Sequence, residues 1–470
     1  MNDERAPKDP SLVLALLPVA ALVGALAYAV RVLEASPHIP IILGAVVAAL
    51  VGLGLGYDWK SLQDGMVKGI SIAMPAILIL LAIGILIGAW ISAGVVPLLI
   101  VYGLRILSPE IFLVAACLTS AIVSIATGSS WTTASTVGVA LIGVGKGLDV
   151  SEAMTAGAIV SGAYFGDKLS PLSDTTNLAA GVAEVPLFTH IRHMLWTTVP
   201  SMVIALVIYA VLGMGANEEV NVEKVALLIS SIEEQFTLTP ILLLAPASII
   251  LCLAFKMPAL PAVLIGAATG GALGMTVQGL SPSEIYLAMQ EGYASESGVA
   301  QLDELLSGGG LESMFWTIGI VLCALAFGGL MECTGLLATI GKAIMRFAIS
   351  TGRLVVATLA SSLGMNLLAS DQYLSIVIPG RMYKEAFHDA GLDPRNLSRC
   401  LEDAGTITSP LIPWNTCGAT MLGALKVDPL HFAPYAFFNL ICPLISALLG
   451  FTGWTMKKKA EGAEEKVSSD

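Results

Sequence analysis

The sequence predicts an all-α polytopic membrane protein built from two inverted-topology repeats, and three observations lead to this prediction. First, hydrophobic residues make up 56% of the 470 residues and charged residues only 12%, about half the charged share of a typical globular protein. Second, apolar runs such as 73–90 and 241–255 contain no charged residue and approach the length of about 20 residues that crosses a bilayer as a helix. Third, the chain contains an internal repeat.

The first repeat is assigned to residues 11–213. It follows a charged tail, residues 1–10, which lacks the apolar core and cleavage site of a secretory signal and is expected in the cytoplasm. Continuous apolar stretches predict helices at about 11–33, 39–56, 71–92 and 190–213.

The second repeat, residues 240–455, matches four short segments of the first repeat in the same order. The matched pairs are 37–40 with 258–261, 81–97 with 322–338, 129–135 with 369–375, and 170–172 with 409–411. In this register Trp131 stands opposite Asp371, and Pro413 stands opposite Asp174. Residues 214–239 form a hydrophilic connector, and residues 456–470 form a second charged tail.

The distribution of Lys and Arg predicts the sides of the membrane, because basic residues accumulate in cytoplasmic loops. The loop 379–399 and the tail 456–470 are rich in them and are expected inside, so both termini are predicted to be cytoplasmic. Residues 277–313 carry six acidic residues and no Lys or Arg, and they are expected outside together with the connector. Corresponding loops on opposite faces indicate inverted repeats, which are typical of secondary transporters.

The number of membrane crossings has two solutions. One has about ten crossings plus two re-entrant hairpins, and the other has about 14 crossings. We favour the first, because the basic residues of segment 336–353 recur at near-helical spacing and indicate an interfacial helix rather than a spanning one.

Four polar breaks interrupt the apolar pattern, two in each half, at 127–135, 167–177, 366–375 and 402–416. Unwound backbone is tolerated inside a membrane only where protein or a water-filled cavity satisfies it. Its carbonyls, with hydroxyl and amide oxygens, suit hard cations, and a carboxylate nearby supplies the compensating charge. A carboxylate that binds either Na⁺ or H⁺ couples the two by competition. The breaks therefore predict a cation site shared by the two repeats.

Asp174 and Asp371 are the main candidates for binding Na⁺ and for proton coupling. Asp174 lies at the centre of its break, although it could also serve as a helix cap. Asp371 is the lone acid in a long apolar run, where ionisable groups usually mark an ion path. Three further acids are candidates for proton coupling: Asp167, Glu332 and Asp403.

Two of these further candidates, Asp167 and Asp403, have an alternative role. Asp167 could simply pair with the neighbouring Lys168, and Asp403, like Glu402 before it, could complement a helix N-terminus. The hydroxyl-rich break at 129–135 offers Ser129, Ser130 and Thr132 to either a cation or an anion.

Other classes of protein are disfavoured. The sequence has no Walker motif and no Gly-rich dinucleotide fingerprint, so neither a primary pump nor a nucleotide-dependent enzyme is indicated. The seven cysteines are scattered singly without metal-ligand spacing. We expect no enzymatic activity, no cofactor beyond the transported ions and no nucleic-acid partner; a homodimer is left open.

Three segments resemble the signature segments of the NhaC-type sodium/proton antiporter family, and the similarity extends over about 10–455. The segments are GAYFGDKLSPLSDTTNLA, ASDQYLSIVIPGRMY and EDAGTITSPLIPWNTCG. The resemblance implies an antiporter of a bacterial or archaeal inner membrane that exchanges Na⁺ for H⁺. It also implies that the binding residues come from the set Asp174, Thr175, Thr176, Asn177, Asp371, Ser409, Asn415 and Thr416.

The same family includes sodium-coupled exchangers of organic acids, such as malate for lactate, and possible amino-acid carriers. This is the alternative function. An organic anion needs a positive partner or helix N-termini, and Lys168 is the cation next to the predicted core.

Overall fold

The computed structural model describes residues 7–33, 35–214, 222–298 and 300–459. Residues 1–6 and 460–470 of the two expected tails, and residues 215–221 of the connector, lie outside the described residues. Within the described ranges the chain is helical and contains no β-strand.

The helices of the first half are α1 Leu12–Arg31, α2 His38–Leu55, α3 Trp59–Ile72, α4 Met74–Ser92, α5 Val95–Ile106, α6 Pro109–Thr127, α7 Ser130–Thr133, α8 Val139–Gly147, α9 Glu152–Leu169, α10 Asp174–Val182 and α11 Leu187–Met214. A π-helical turn, Ala134–Gly138, joins α7 to α8.

The helices of the second half are α12 Val222–Gln235, α13 Leu244–Ala254, α14 Ala259–Val277, α15 Pro282–Gln290, α16 Ala300–Leu306, α17 Phe315–Cys333, α18 Leu336–Met345, α19 Thr351–Leu368, α20 Gln372–Asp389, α21 Arg395–Leu401, α22 Thr416–Leu425, α23 Pro429–Phe432 and α24 Phe437–Thr452. Glu402–Thr406 is π-helical and continues α21. Short 3₁₀ turns lie at Pro240–Leu243, Glu312–Met314, Ser409–Leu411 and Ala433–Tyr435.

Membrane-length helices occur in both halves. Among the described residues, seven helices are long and apolar enough to cross a membrane, or nine if each of two bent helix pairs is one span. The chain is therefore an all-α polytopic membrane protein, as predicted. Helix α18 has ten residues, about 15 Å of helix, which is too short to span a hydrocarbon core of about 30 Å.

Two segments that the sequence placed outside the membrane contain helices. The connector 214–239 contains helix α12, and the acidic segment 277–313 contains α15 and α16. Helix α15 packs against α4, where a Cβ on Gly88 would collide with the Ala288 carbonyl. In the first half, helix α3 precedes α4 as α15 precedes α17 in the second, so α3 and α15 occupy equivalent places in the two halves.

Each half contributes helices that pack on the other half. Helix α4 packs on α14 and α15, and helix α17 packs on α2 and α3. Glycines make this close approach possible: a Cβ on Gly329 of α17 would collide with the backbone of Gly65 in α3. Small residues serve this purpose in membrane proteins, where backbones must approach closely to gain packing energy.

All four predicted breaks are breaks in the structure. Helices α6 and α7 are separated at Gly128, which has a left-handed φ of 68°. Helices α9 and α10, α19 and α20, and α21 and α22 are separated in the other three breaks. Across the halves, α10 packs on α20, and α22 packs on the π-helical turn after α7.

The starts of the broken helices correct the register of the repeat. Ser129 caps α7 and Asp371 caps α20, whereas Ser173 caps α10 and Asn415 caps α22. Residues 129 and 371 differ by 242, and so do residues 173 and 415. Ser129, rather than Trp131, therefore stands opposite Asp371, and Thr416, rather than Pro413, stands opposite Asp174. The alignment of the two repeats predicted from the sequence was wrong by two to three residues, because it matched similar residue types rather than the residues that cap the helices.

Candidate functional site

Asp371 lies fully buried at the start of α20. The preceding residue, Ser370, has a left-handed φ of 59°, which turns the chain sharply between α19 and α20. One carboxylate oxygen of Asp371, Oδ1, accepts the backbone N–H groups of Tyr373 at 2.9 Å and Leu374 at 3.2 Å. These are donors that a helix leaves unpaired at its N-terminus. The helix end thus stabilises a negative charge at Asp371.

The start of α22 meets Asp371 from the opposite side. The Thr416 hydroxyl lies 3.3 Å from Asp371 Oδ2, and the Thr416 N–H donates to the Ser370 carbonyl at 3.0 Å. Asn415 caps α22 by accepting the Cys417 N–H at 3.0 Å. Two half-helix N-termini therefore converge on the single Asp371 carboxylate.

Asn366 of α19 joins the junction at Asp371 to the π-helical turn Glu402–Thr406. Its side-chain oxygen accepts the Asn415 amide at 3.1 Å. Its own amide donates to the Gly405 carbonyl at 2.6 Å and to the Thr408 hydroxyl at 3.1 Å. Asn366 thereby supplies a hydrogen-bond donor to the Gly405 carbonyl of the π-helical turn. It also connects this turn to Asn415, the capping residue of α22.

In the first half, Asp167 occupies the place at α7 that Asp371 occupies at α20. Asp167 Oδ2 accepts the backbone N–H of Ser130 at 3.1 Å and its hydroxyl at 2.7 Å. Its other oxygen, Oδ1, is buried and has no hydrogen-bond partner among the described residues. Each half therefore places one carboxylate at the N-terminus of its first half-helix, although Asp371 comes from that helix and Asp167 comes from α9.

Asp174, the first residue of α10, is exposed and is linked to Asp371 through one residue, Tyr373. The Tyr373 hydroxyl donates to Asp174 Oδ2 at 2.6 Å, and the Tyr373 backbone N–H donates to Asp371. Asp174 Oδ1 accepts the N–H of Thr175 at 2.8 Å. A change in the charge of either carboxylate acts directly on the hydrogen bonding of Tyr373.

A cavity of about 670 Å³ brings these residues together. Its wall contains Ser129, Ser130, Asp167, Asp174 and Tyr373. Asp371 is fully buried and does not line the cavity, but the backbone N–H of Tyr373, a residue of the cavity wall, donates to it. The cavity wall thus contains one exposed carboxylate, Asp174, and one buried carboxylate, Asp167, and Tyr373 connects it to the buried Asp371.

The remaining hydroxyl and amide candidates support the breaks. Thr132 donates to the Ser129 hydroxyl, and the Thr176 hydroxyl donates to the Lys168 carbonyl at 3.2 Å. The Asn177 amide donates to the Pro171 carbonyl at 3.0 Å, which fixes the turn before α10. Ser409 donates to the Thr406 carbonyl at 2.6 Å. The side chains of these residues, with Thr175, are engaged in local hydrogen bonds around the cavity and the Asp371 junction.

Two predicted proton-coupling residues lie apart from the cavity wall. Glu332 on α17 faces Lys68 on α3, with 3.7 Å between Oε1 and Nζ, and its side chain is one-third exposed. Asp403 is fully buried and forms an ion pair with Lys168. The alternative considered for Asp167, a pair with Lys168, is not formed, because the Lys168 ammonium is engaged by Asp403.

The sequence did not identify Tyr373 or Asn366 as site residues. Both lie inside the break 366–375, so their position was a usable signal. Their partners could not be read from the sequence, because Tyr373 and Asp174 are 199 residues apart and Asn366 and Asn415 are 49 apart.

Comparison with known proteins identifies the family of the chain. A sequence model of the Na⁺/H⁺ antiporter family matches residues 162–454. The chain is 39% identical to the Na⁺/H⁺ antiporter NhaC of Alkalihalophilus pseudofirmus, over 93% of this chain and 94% of that one. It is also 39% identical to the arginine/ornithine antiporter ArcD of Halobacterium salinarum, over 98% and 96%. A malate-2H⁺/Na⁺-lactate antiporter of Bacillus subtilis is 36% identical over 89% and 90%.

These relatives are transporters, and they cover nearly the whole chain. Together with the membrane-length helices and the paired breaks, they establish that this protein is a multi-pass membrane protein of the Na⁺/H⁺ antiporter family.

Proposed function

We propose that the protein exchanges Na⁺ for H⁺ and that both ions use the carboxylates around the cavity. The observation that carries the proposal is the set of three acids at half-helix N-termini, Asp167, Asp174 and Asp371. In each, a carboxylate oxygen accepts backbone N–H groups, which holds its charge. Ionisable residues inside a membrane protein are costly and usually mark an ion path.

Na⁺ is proposed to pass from Asp174 at the cavity wall to Asp371 behind it. At Asp371 the oxygens available to the ion are its own carboxylate, the Thr416 hydroxyl and the Asn415 side chain. All three residues are buried, so an ion there would be separated from bulk water. Movement of Tyr373 is proposed to connect the two positions, because its hydroxyl binds Asp174 and its backbone N–H binds Asp371.

Competition gives the sign of the pH dependence. Protonation of Asp174 or Asp371 removes the negative charge that holds Na⁺. The apparent affinity for Na⁺ is therefore expected to fall as the pH falls on the side from which Na⁺ binds. Binding of Na⁺ releases the proton to that side, and alternating access of the broken helices carries the other ion back.

The membrane placement is proposed from charge. The two repeats, 11–213 and 240–455, are assigned to the inner membrane of a bacterium or archaeon, with opposite topology. Lys and Arg in 379–399 and in the C-terminal tail favour cytoplasmic termini.

An organic-anion exchanger is the second candidate, and two of the three named relatives have organic substrates in their names. Lys168, the positive partner that the sequence offered for an organic anion, is already paired with Asp403. However, Lys256 lines the cavity and could meet a carboxylate substrate there. If this candidate is correct, Lys256→Gln will reduce transport of the organic acid without changing Na⁺-driven proton movement.

Reconstitution into liposomes distinguishes the candidates. An inward Na⁺ gradient is imposed, and a trapped dye reports internal pH. We expect the internal pH to rise above that of protein-free liposomes in the absence of any organic acid. A strict requirement for malate, lactate or an amino acid would overturn the proposal of simple Na⁺/H⁺ exchange.

A further inference from the structure

A second group of charged side chains lies between α9, α21 and the π-helical turn. Its members are Lys168, Arg399, Glu402 and Asp403, called here the charged cluster. Every one of these side chains is fully buried. Burying a charged group is expensive unless the group is paired. The partners of each member therefore indicate whether it is ionised.

Asp403 is the paired acid of the charged cluster. One of its oxygens, Oδ1, binds the Lys168 ammonium and accepts the Thr197 hydroxyl at 2.9 Å. Its Oδ2 lies 3.8 Å from Arg399 Nε. Two cations therefore hold Asp403 in its ionised form, which makes Asp403 a poor carrier of a transported proton.

Glu402 is the unpaired acid. Among the described residues neither of its carboxylate oxygens has a well-formed hydrogen bond, the Thr406 hydroxyl is the nearby donor, and the side chain is 0% exposed. An ionised carboxylate in such a place loses its hydration without replacement. A proton bound to Glu402 removes this cost, and the nearby Lys168 ammonium offers a counter-charge when the proton leaves.

The surroundings of Glu402 leave few other groups to take this role. Lys168 and Asp167 of α9 and the adjacent Asp403 are the charges whose field reaches Glu402. Helices α19 and α20 present uncharged groups to the same π-helical turn, namely Asn366 and Ser375.

The remaining two helices that pack on this π turn are α24 and α10. Helix α24 contains no charged residue, and its one ionisable group, Cys442, receives a hydrogen bond from Lys168 at 3.2 Å. The acid of α10, Asp174, is bound by Tyr373. Arg399, one turn before Glu402, is engaged with Thr455 at 2.8 Å.

The equivalent positions of the first half carry no acid. Counting back 242 residues from Glu402 and Asp403 gives Val160 and Ser161 in α9, a regular helix. At Glu402 the helix instead widens into a π turn, a feature that is frequent at functional sites. At this position of the repeat, the acid and the π turn occur in the second half alone, and the π turn of the first half lies elsewhere, at Ala134–Gly138.

The charged cluster is physically connected to the proposed Na⁺ site on two sides. The Asn366 amide donates to Gly405 in the π turn, and its oxygen accepts from Asn415 beside Asp371. On the first-half side, the Lys168 carbonyl accepts the hydroxyl of Thr176, two residues after Asp174.

From this arrangement we infer that Glu402 carries a second transported proton, in addition to the proton that competes with Na⁺ at the cavity carboxylates and at a position separate from them. The inference rests on the proposed Na⁺/H⁺ exchange. The proton comes from water on one side of the membrane and is released to water on the other, and Lys168 shares its charge between Asp403 and the ionised Glu402. Na⁺ binding at Asp371 acts on the protonation of Glu402 through Asn366 and the π turn.

Two transport modes test the inference. Na⁺/Na⁺ exchange, followed with radioactive Na⁺ at equal pH on both sides, requires the Na⁺ site but no net proton movement. Na⁺-driven proton flux requires both ions. Glu402→Gln is expected to keep Na⁺/Na⁺ exchange and to move fewer protons per Na⁺ than the wild type. Glu385→Gln, which removes an exposed carboxylate from α20, is the matched control and is expected to keep both modes.

Glu402→Asp provides the second measurement, because it keeps the carboxyl group on a shorter side chain. It is expected to retain coupled flux with a shifted pH of half-maximal rate. A folded Glu402→Gln with the wild-type ratio of H⁺ to Na⁺ would overturn the inference. If Glu402→Gln does not fold, an unchanged pH profile in Glu402→Asp overturns it, and a shifted profile supports it. Failure of the proposed function is distinct, because the wild type would then show neither mode.

Discussion

Replacing Asp371 by Asn separates the structural role of this residue from its role in binding Na⁺. Asn and Asp are equally good at the cap of a helix, so the side-chain oxygen of Asn can still accept the Tyr373 and Leu374 N–H groups. The unfolding temperature without Na⁺ is therefore expected to stay close to that of the wild type.

The loss of charge has a large expected effect on ion binding. A unit charge about 4 Å away contributes about 4 kcal/mol at the effective dielectric constant of a protein site. That energy corresponds to roughly a thousandfold in affinity. Asp371→Asn is thus expected to show no measurable Na⁺-driven proton flux and no stabilisation by Na⁺ in a thermal unfolding assay.

Two variants control this experiment. Asp389→Asn removes an exposed carboxylate from the same helix and should leave flux unchanged. Asp371→Ala removes the cap as well as the charge and should cost about 1 kcal/mol of stability in addition. If Asp371→Asn keeps the wild-type Na⁺ half-saturation, Asp371 does not bind the ion and the proposed path through Tyr373 is wrong.

Three further outcomes are expected. Asp174→Asn will abolish Na⁺-driven proton flux while the protein remains monodisperse in gel filtration, and retained flux would exclude Asp174 from the mechanism. Tyr373→Phe loses a charge-assisted hydrogen bond of about 1.5–3 kcal/mol; a raised Na⁺ half-saturation is expected, and an unchanged value would contradict the link to Asp174. Lys168→Met leaves Asp403 short of a partner and should cost about 3–5 kcal/mol, seen as a lower unfolding temperature than in Lys168→Arg.

The helix breaks could be predicted from the sequence because their cause is local. A run of hydroxyls, prolines and an acid inside an apolar stretch is costly in a membrane, so the positions of Asp174 and Asp371 were visible without a structure. The capping role considered for Asp174 falls to its neighbour Ser173, which accepts the Thr176 N–H at 3.3 Å.

The partners of these residues depend on the tertiary fold and could not be predicted. Lys168 and Asp167 are neighbours in the chain, yet they point to different groups: Lys168 binds Asp403, 235 residues away, and Asp167 binds Ser130. Likewise, the local sequence does not distinguish Asp403 from Glu402. In the structure two cations contact Asp403, whereas neither carboxylate oxygen of Glu402 has a well-formed hydrogen bond among the described residues.

The exchange of helices between the two halves has a consequence for how the protein is made. Helix α3 buries Gly65 and Gly69 against α17, which is synthesised more than 200 residues later. Until α17 emerges, this glycine surface has no partner, and the first half exists as an incomplete intermediate in the membrane. A gene fragment that ends in the connector should therefore insert into the membrane but remain unstable there, and supplying the second half as a separate chain should restore it.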